Sequence, residues 1–329
     1  MKSGTENPSS PEALPIPSVE IGRERALEFA FHARHFEDVG DEEAVSMLAL
    51  ALDHPEWEGE LVRQVQQNKP HVKDPQALLQ RLKEAYRSYE DAENVPQQGA
   101  DAAWWSEHLP EARERIGNLV EYFRPSPESA KAKVIIVPSD AMLPSKESGR
   151  SFHVGDTSIV MAHTDNMENM EHEFLHGIIN PITEKLAAKV PQEKVVALAS
   201  DRLKVEQRYG DHAVSLLNEE LIRTYNECVE TGKSPMTFED FEKAVAAQSE
   251  DDFVNAIKSP DMQSRMATLG VASAAQFKER AREYYDRFVK NELREKVYPL
   301  YIRFNQERAQ NPGLRFEDFL AADIETALS

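Results

Sequence analysis

The chain has 329 residues, with 38 Lys and Arg against 58 Asp and Glu, for a formal net charge of −20. A surface this negative repels phosphate backbones and anionic bilayers, which excludes nucleic acid as the main partner. The single cysteine, Cys228, excludes an intramolecular disulfide and any multi-cysteine metal site, and no apolar run approaches the roughly 18 residues that a membrane span needs.

The first stretch, Met1 to Ser18, is polar and carries Pro8, Pro11, Pro15 and Pro17, so residues 1–20 are expected to be a flexible tail. No signal-peptide core is visible there, and the expected compartment is the cytoplasm. A linker left after removal of a leader reads the same way, so export stays open. Residues 21–125 form a helical region. Leu27, Ala30 and Phe31 begin one stripe, Val45, Leu48, Ala49 and Leu52 a second, and Leu79, Leu82, Tyr86 and Tyr89 a third. Loops fall at Asp53-His54-Pro55, Lys69-Pro70 and Val95 to Gly99. His32 and His35 lie three apart, but without a third ligand nearby they are an ordinary surface or core pair. Ile116, Leu119, Val120 and Phe123 add a helix that stops before Pro125.

The period then changes. Lys133 to Val137 is a β-branched run, and Phe152-His153-Val154 and Thr157 to Met161 flank Gly155-Asp156, a two-residue hairpin signal. A small sheet is therefore expected immediately before a helix, with Asp165 as N-cap and Glu168 completing a capping box. Met167, Met170, Phe174 and Ile178 recur at helical spacing and make that helix largely buried, with Asn180-Pro181 as its end. His163, at the strand end, is expected to cap or to support rather than to ligate.

This helix holds Glu171-His172-Glu173-Phe174-Leu175-His176-Gly177, a complete HExxH pattern. Residues four apart lie one turn above each other, so His172 and His176 can aim two imidazoles at one tetrahedral Zn2+. Glu173 is poorly placed to ligate, but its carboxylate can take a proton from water at the metal. A catalytic site needs a third protein ligand. The metzincin pattern would put His at the sixth position after His176, where Ile182 stands, so that branch is excluded. Downstream, Asp211 to Tyr225 is a strong helical run with Glu219 and Glu220 adjacent. Glu220 falls in the apolar arc of Ala213, Leu217, Leu221, Thr224 and Cys228, whereas Glu219 shares a polar stripe with His212, Ser215, Arg223 and Asn226. A buried lone carboxylate would need a partner, which favours Glu220, and periodicity leaves both open. Cys228 is expected to be a small core residue. The four expected segments are the 1–20 tail, the 21–125 helical region, a 126–230 core, and a helical region over 231–329. In the last, Phe277, Ala281, Tyr284 and Phe288 trace one long helix and Leu314 to Leu328 another.

The Asn218-Glu219 pair resembles the Asn-Glu pair of gluzincins, the thermolysin-type and aminopeptidase-type zinc enzymes, in which that Glu binds the metal. More specifically, His172-Glu173-Phe174-x-His176-x-x-x-Asn180-Pro181 with Asn218-Glu219-x-Leu221-Ile222-Arg223 resembles an uncharacterised bacterial domain-of-unknown-function family of gluzincin-like metallopeptidases. The match is tight over 172–181 and 218–224. It implies an α+β, predominantly helical, zincin-like fold, with Zn2+ on His172, His176 and Glu219, Glu173 as general base, and a peptide or protein as substrate. In such enzymes the edge strand beside the metal helix pairs with extended substrate, and Thr157 to Met161 is the expected strand. One departure stands out: the position four after the ligand Glu, an Asp in thermolysin-like enzymes, is Arg223. It is expected either to bind a substrate carboxylate or the oxyanion, or simply to be ion-paired. His212, Arg223 and Tyr225 are the candidate transition-state or substrate contacts. Two alternatives stand beside the peptidase: hydrolysis of a non-peptide amide, and a helical interaction protein on a zincin scaffold.

Overall fold

A computed structural model describes residues 14–22, 24–32, 39, 41–90, 99–127, 129–138, 149–200 and 212–328. They form an α+β protein in which helices predominate around one four-stranded sheet. The chain divides into two compact units, Met1–Pro181 with Arg315–Glu317 and Ile182–Leu314 with Asp318–Ser329.

In the first unit the sheet has the order β1-β2-β4-β3, with β1 Ser18–Ile21, β2 Lys133–Pro138, β3 Arg150–Val154 and β4 Thr157–Ala162. β1 pairs in parallel with β2 (Val19 opposite Val134) and β2 in parallel with β4 (Ile135 opposite Ile159), while β3 returns antiparallel to β4 through Gly155-Asp156. Gly155 carries φ +56, which a side chain would resist. β2 is apolar from Val134 and β4 from Ile159, and these stretches are buried because both faces of the sheet are covered. On one face Ile135, Val137, Phe152, Val154, Ile159 and Met161 join a core supplied by helices α1 Arg25–His32, α2 Glu42–Asp53, α3 Glu58–Asn68 and α4 Pro75–Glu90. Leu27, Leu48 and Leu79 there are essentially fully buried, each contributing about 1.5–3 kcal/mol. On the other face lie α5 Gly99–Phe123, whose Arg113 guanidinium donates to the Val19 carbonyl, and α6 Met167–Lys185, whose Glu173 meets Ser151 of β3.

The structure corrects expectations for the tail, the edge strand and the end of α6. The tail expected over 1–20 closes in a strand, because Ser18–Ile21 can add to the exposed side of β2. The strand expected at the edge, Thr157 to Met161, lies inside the sheet and is fully buried, and the edge beside it is β3. The helix that carries HExxH continues past Asn180-Pro181 to Lys185. An interior proline costs about 3 kcal/mol, but the next turn buries Ile182 and Thr183 completely, which offsets that cost.

The second unit is helical. The last turn of α6 and α7 Gln192–Leu198 precede α8 Ala213–Thr224, whose final turn widens into a π-helical segment at Tyr225–Val229. The sequence reads as helix from Val195 to Tyr209; α7 ends at Leu198, and residues 201–211 lie outside the described residues. After α8 come α9 Phe238–Ala247, α10 Glu250–Ala256, α11 Pro260–Leu269, α12 Ala274–Glu279 and α13 Ala281–Tyr284, then α14 Glu292–Gln310 and α15 Phe316–Leu328. The single long helix expected from Phe277 to Phe288 is broken at Arg280 and ends in a second π-helical turn, Tyr285–Val289. The break lets Phe241, Phe253, Phe277, Tyr284 and Tyr285 close a separate small core. Among the described residues no helix is long and apolar enough to cross a membrane.

Candidate metal centre

The helix that carries HExxH is fixed at three points. Its N-cap is Asn166 rather than Asp165: the Asn166 carboxamide accepts from the Asn169 backbone N–H at 3.0 Å, while Asp165 takes a left-handed φ of 60. Phe174, Leu175, Ile178 and Ile179 are buried. Glu171, also buried, accepts from the Arg115 guanidinium of α5 at 3.0 Å. Burial works against the Arg115 charge, but the neighbouring carboxylates of Glu171 and Glu111 hold its pKa up.

This anchoring leaves His172 and His176 half-buried, with ring centroids 5.0 Å apart and planes at 77°. Among the described residues His172, Glu173 and His176 are the group able to hold a metal ion, one ligand atom from each lying within 4.8 Å of the others. Two crossed imidazoles beside a carboxylate are the donors that Zn2+ takes. His176 Nδ1 donates to Asn180 Oδ1 at 3.3 Å, so the ring presents Nε2 as its lone-pair nitrogen. That arrangement fits a metal ligand.

Glu173 is 8% exposed and is held from the strand side. Ser151 Oγ donates to its Oε2 at 2.9 Å, and the Gly149 backbone passes so close that a Cβ there would stand 2.6 Å from Glu173 Cγ and 2.7 Å from Oε1. Two residues further along β3, His153 packs its ring on Gly177, where a Cβ would meet ring atoms at 2.7–3.3 Å. Burial, with Lys131 and His176 nearby, pushes the His153 pKa down to about 3, so the ring is neutral. Its Nδ1 lies 3.0 Å from Ser158 Oγ, and its buried Nε2 has no hydrogen-bond partner among the described residues. β3 thus runs alongside α6, touching it at Glu173 and again at Gly177.

The downstream candidates lie in the second unit. Glu220, at 0% exposure, has both oxygens engaged: Arg294 Nε donates to Oε1 at 2.6 Å, Thr224 Oγ1 to Oε1 at 3.2 Å, and Asn291 Nδ2 to Oε2 at 2.7 Å. Burial opposes the Arg294 charge, and the carboxylates of Glu220 and Glu227 outweigh it and push its pKa up. The partner that a buried Glu220 requires is therefore Arg294 of α14. Glu219, also buried, accepts from Arg223 Nε at 2.7 Å, so Arg223 is ion-paired to the residue one turn before it. Asn218 accepts from Thr183 Oγ1, in the last turn of α6. Tyr225 is buried against Tyr301, and His212 stands exposed at the N-cap of α8. Cys228 is a buried free thiol whose pKa burial pushes up, as a core residue requires. His163 is buried just past β4. His35 and the side chain of His32 fall outside the described residues.

Sequence reasoning missed Ser151, Gly149 and His153. Ser151 and His153 alternate with Phe152 and Val154 along β3, a period-two pattern that marks them as sharing the face opposite the apolar core. Comparison of the chain with family models, curated proteins and solved structures returns no significant match.

Proposed function

We propose that the chain is a zinc-dependent hydrolase with a zincin-like, gluzincin-type site, acting on peptide bonds. The observation that carries this reading is the convergence of His172, Glu173 and His176 on a helix held rigid by burial, the Asn166 cap and the Arg115–Glu171 pair. His172 and His176 supply two ligands and Glu219 the third; the engagement of Glu220 by Arg294 and Asn291 supports that choice. When held by these residues, Zn2+ would supply Lewis acidity for a scissile carbonyl and would lower the pKa of a water. Glu173 takes the proton of that water and delivers it to the leaving amine. Ser151 and the Gly149 backbone fix its carboxylate for both transfers. Arg223 holds Glu219, and His212 and Tyr225 are the side chains proposed for the developing oxyanion. β3, the sheet edge beside α6, receives extended substrate by strand addition. The Gln64 side chain already donates to the His153 carbonyl at 3.2 Å, which confines pairing to the start of the strand at Arg150 and Ser151.

The test is digestion of a mixed peptide library by wild type and Glu173→Gln at equal zinc occupancy, with thermal melts as the control for folding. Loss of the base is expected to slow cleavage by about 100- to 10,000-fold. Equal residual cleavage by both would indicate a contaminant. No cleavage by either protein would move the assignment to a non-peptide amide or to a scaffold role.

A further inference from the structure

Asn180 sits in the interior of α6, with a further turn of helix beyond it to Lys185. Asparagine is a poor residue there, because its side chain competes for backbone hydrogen bonds and it ranks well below Ala, Leu or Gln in helix propensity. Its successor is Pro181, which removes one helical donor from the same turn. A sequence that tolerates two unfavourable residues in one turn gains something from their side chains or geometry. The Asn180 carboxamide lies one turn beyond His176 on the same helical face, with Oδ1 3.3 Å from Nδ1 of the ring. A carbonyl oxygen only accepts, so the ring nitrogen facing it carries the proton and the opposite nitrogen carries the lone pair. A neutral imidazole binds metal through one nitrogen and is oriented by the hydrogen bond at the other.

We infer that Asn180 is a positioning residue: through the bond to Nδ1 it holds His176 in the tautomer and ring orientation that present Nε2 to a metal ion. This rests on the zinc reading above. The polar anchor lies in the helix that carries the histidines, one turn beyond His176.

The test compares the full-length wild type with Asn180→Leu and Asn180→Asp. Zn2+ affinity is measured by chelator competition, and the His176 tautomer is read from imidazole 15N shifts in the zinc-loaded protein. Leucine keeps the branched heavy-atom shape and the helix and removes the acceptor, so affinity is expected to fall by about 10- to 100-fold. Aspartate keeps an acceptor at the same reach and is expected to restore affinity to within a few-fold of wild type, with Nδ1 protonated as in the wild type. A purely structural role would not distinguish these folded variants in this way. Wild-type affinity in Asn180→Leu, or equal losses in both variants, would overturn the inference alone. Failure of the wild type itself to bind Zn2+ would overturn the metal reading and this inference with it.

Discussion

Replacing Arg294 with methionine removes the guanidinium that faces Glu220 and leaves the rest of α14 in place. The Glu220 carboxylate is at 0% exposure and would retain only the Asn291 amide and the Thr224 hydroxyl. Removing one partner of a buried ion pair typically costs about 3–5 kcal/mol, since the remaining charge is uncompensated and cannot reach water. The Arg294 side chain is itself only 16% exposed, so little solvent screening lowers that figure. At about 2–4 °C per kcal/mol for a domain of this size, the melting temperature should fall by roughly 6–20 °C. Adding Glu220→Leu should recover most of the loss, because an apolar pair of similar volume needs no counter-charge. Thermal and urea unfolding followed by far-UV circular dichroism measure both variants. Stability of Arg294→Met within about 1 kcal/mol of wild type would refute the account of Glu220 as a structural anion, and would return it to candidacy as a ligand.

Glu219→Gln should lower Zn2+ affinity far more than Glu220→Gln, which should instead lower the melting temperature; the reverse pattern would show that the ligand was misassigned. Gly177→Ala places a methyl 2.7–3.3 Å from the buried His153 ring and should destabilise by about 1–3 kcal/mol, read from denaturant midpoints. Pairing it with His153→Ala should relieve the clash. The hydrogen bond that His54 Nε2 donates to Glu24 Oε2, at 2.9 Å, with the charges of Glu24, Glu56 and Asp53 adding to it, outweighs burial and raises the His54 pKa above 6.5. A raised histidine pKa contributes stability that is fully present below the unfolded value and lost as pH rises through the folded one. Wild type should therefore lose stability relative to His54→Gln as pH climbs from just below 6.5 through the higher folded pKa, and parallel pH profiles would count against the pair.

The HExxH helix and the meeting of its two rings were legible because the pattern is local: four residues of spacing on a helix suffice to bring two imidazoles together. β2, β3, β4 and the Gly155 turn were legible for the same reason, as composition and period are local too. What escaped depends on partners distant in sequence. Which arm of the β3–β4 hairpin docks on β2 cannot be read from either arm, and the order β1-β2-β4-β3 turned the expected edge strand into an interior one. Ser18–Ile21 did not read as a strand because its alternation is short and follows a proline-rich stretch. Pro181 signalled a stop, yet burial of Ile182 and Thr183 carried the helix through it. Periodicity correctly placed Glu220 in the buried arc of α8. The same pattern could not show that Arg294, 74 residues later, supplies its counter-charge. Asn180 was visible as a motif residue, but only the distance to His176 gives it a role.

The central claim is that His172 and His176 hold one catalytic metal ion. Its most direct test is the zinc content of the purified chain and of His172→Ala and His176→Ala after dialysis against trace metal, by elemental analysis with protein quantified on the same sample. The account predicts about one Zn2+ per wild-type chain and a loss of stoichiometric zinc in each variant, with melting temperatures showing that both still fold. Stoichiometric zinc in both folded variants, or a wild type that takes up none, would contradict it.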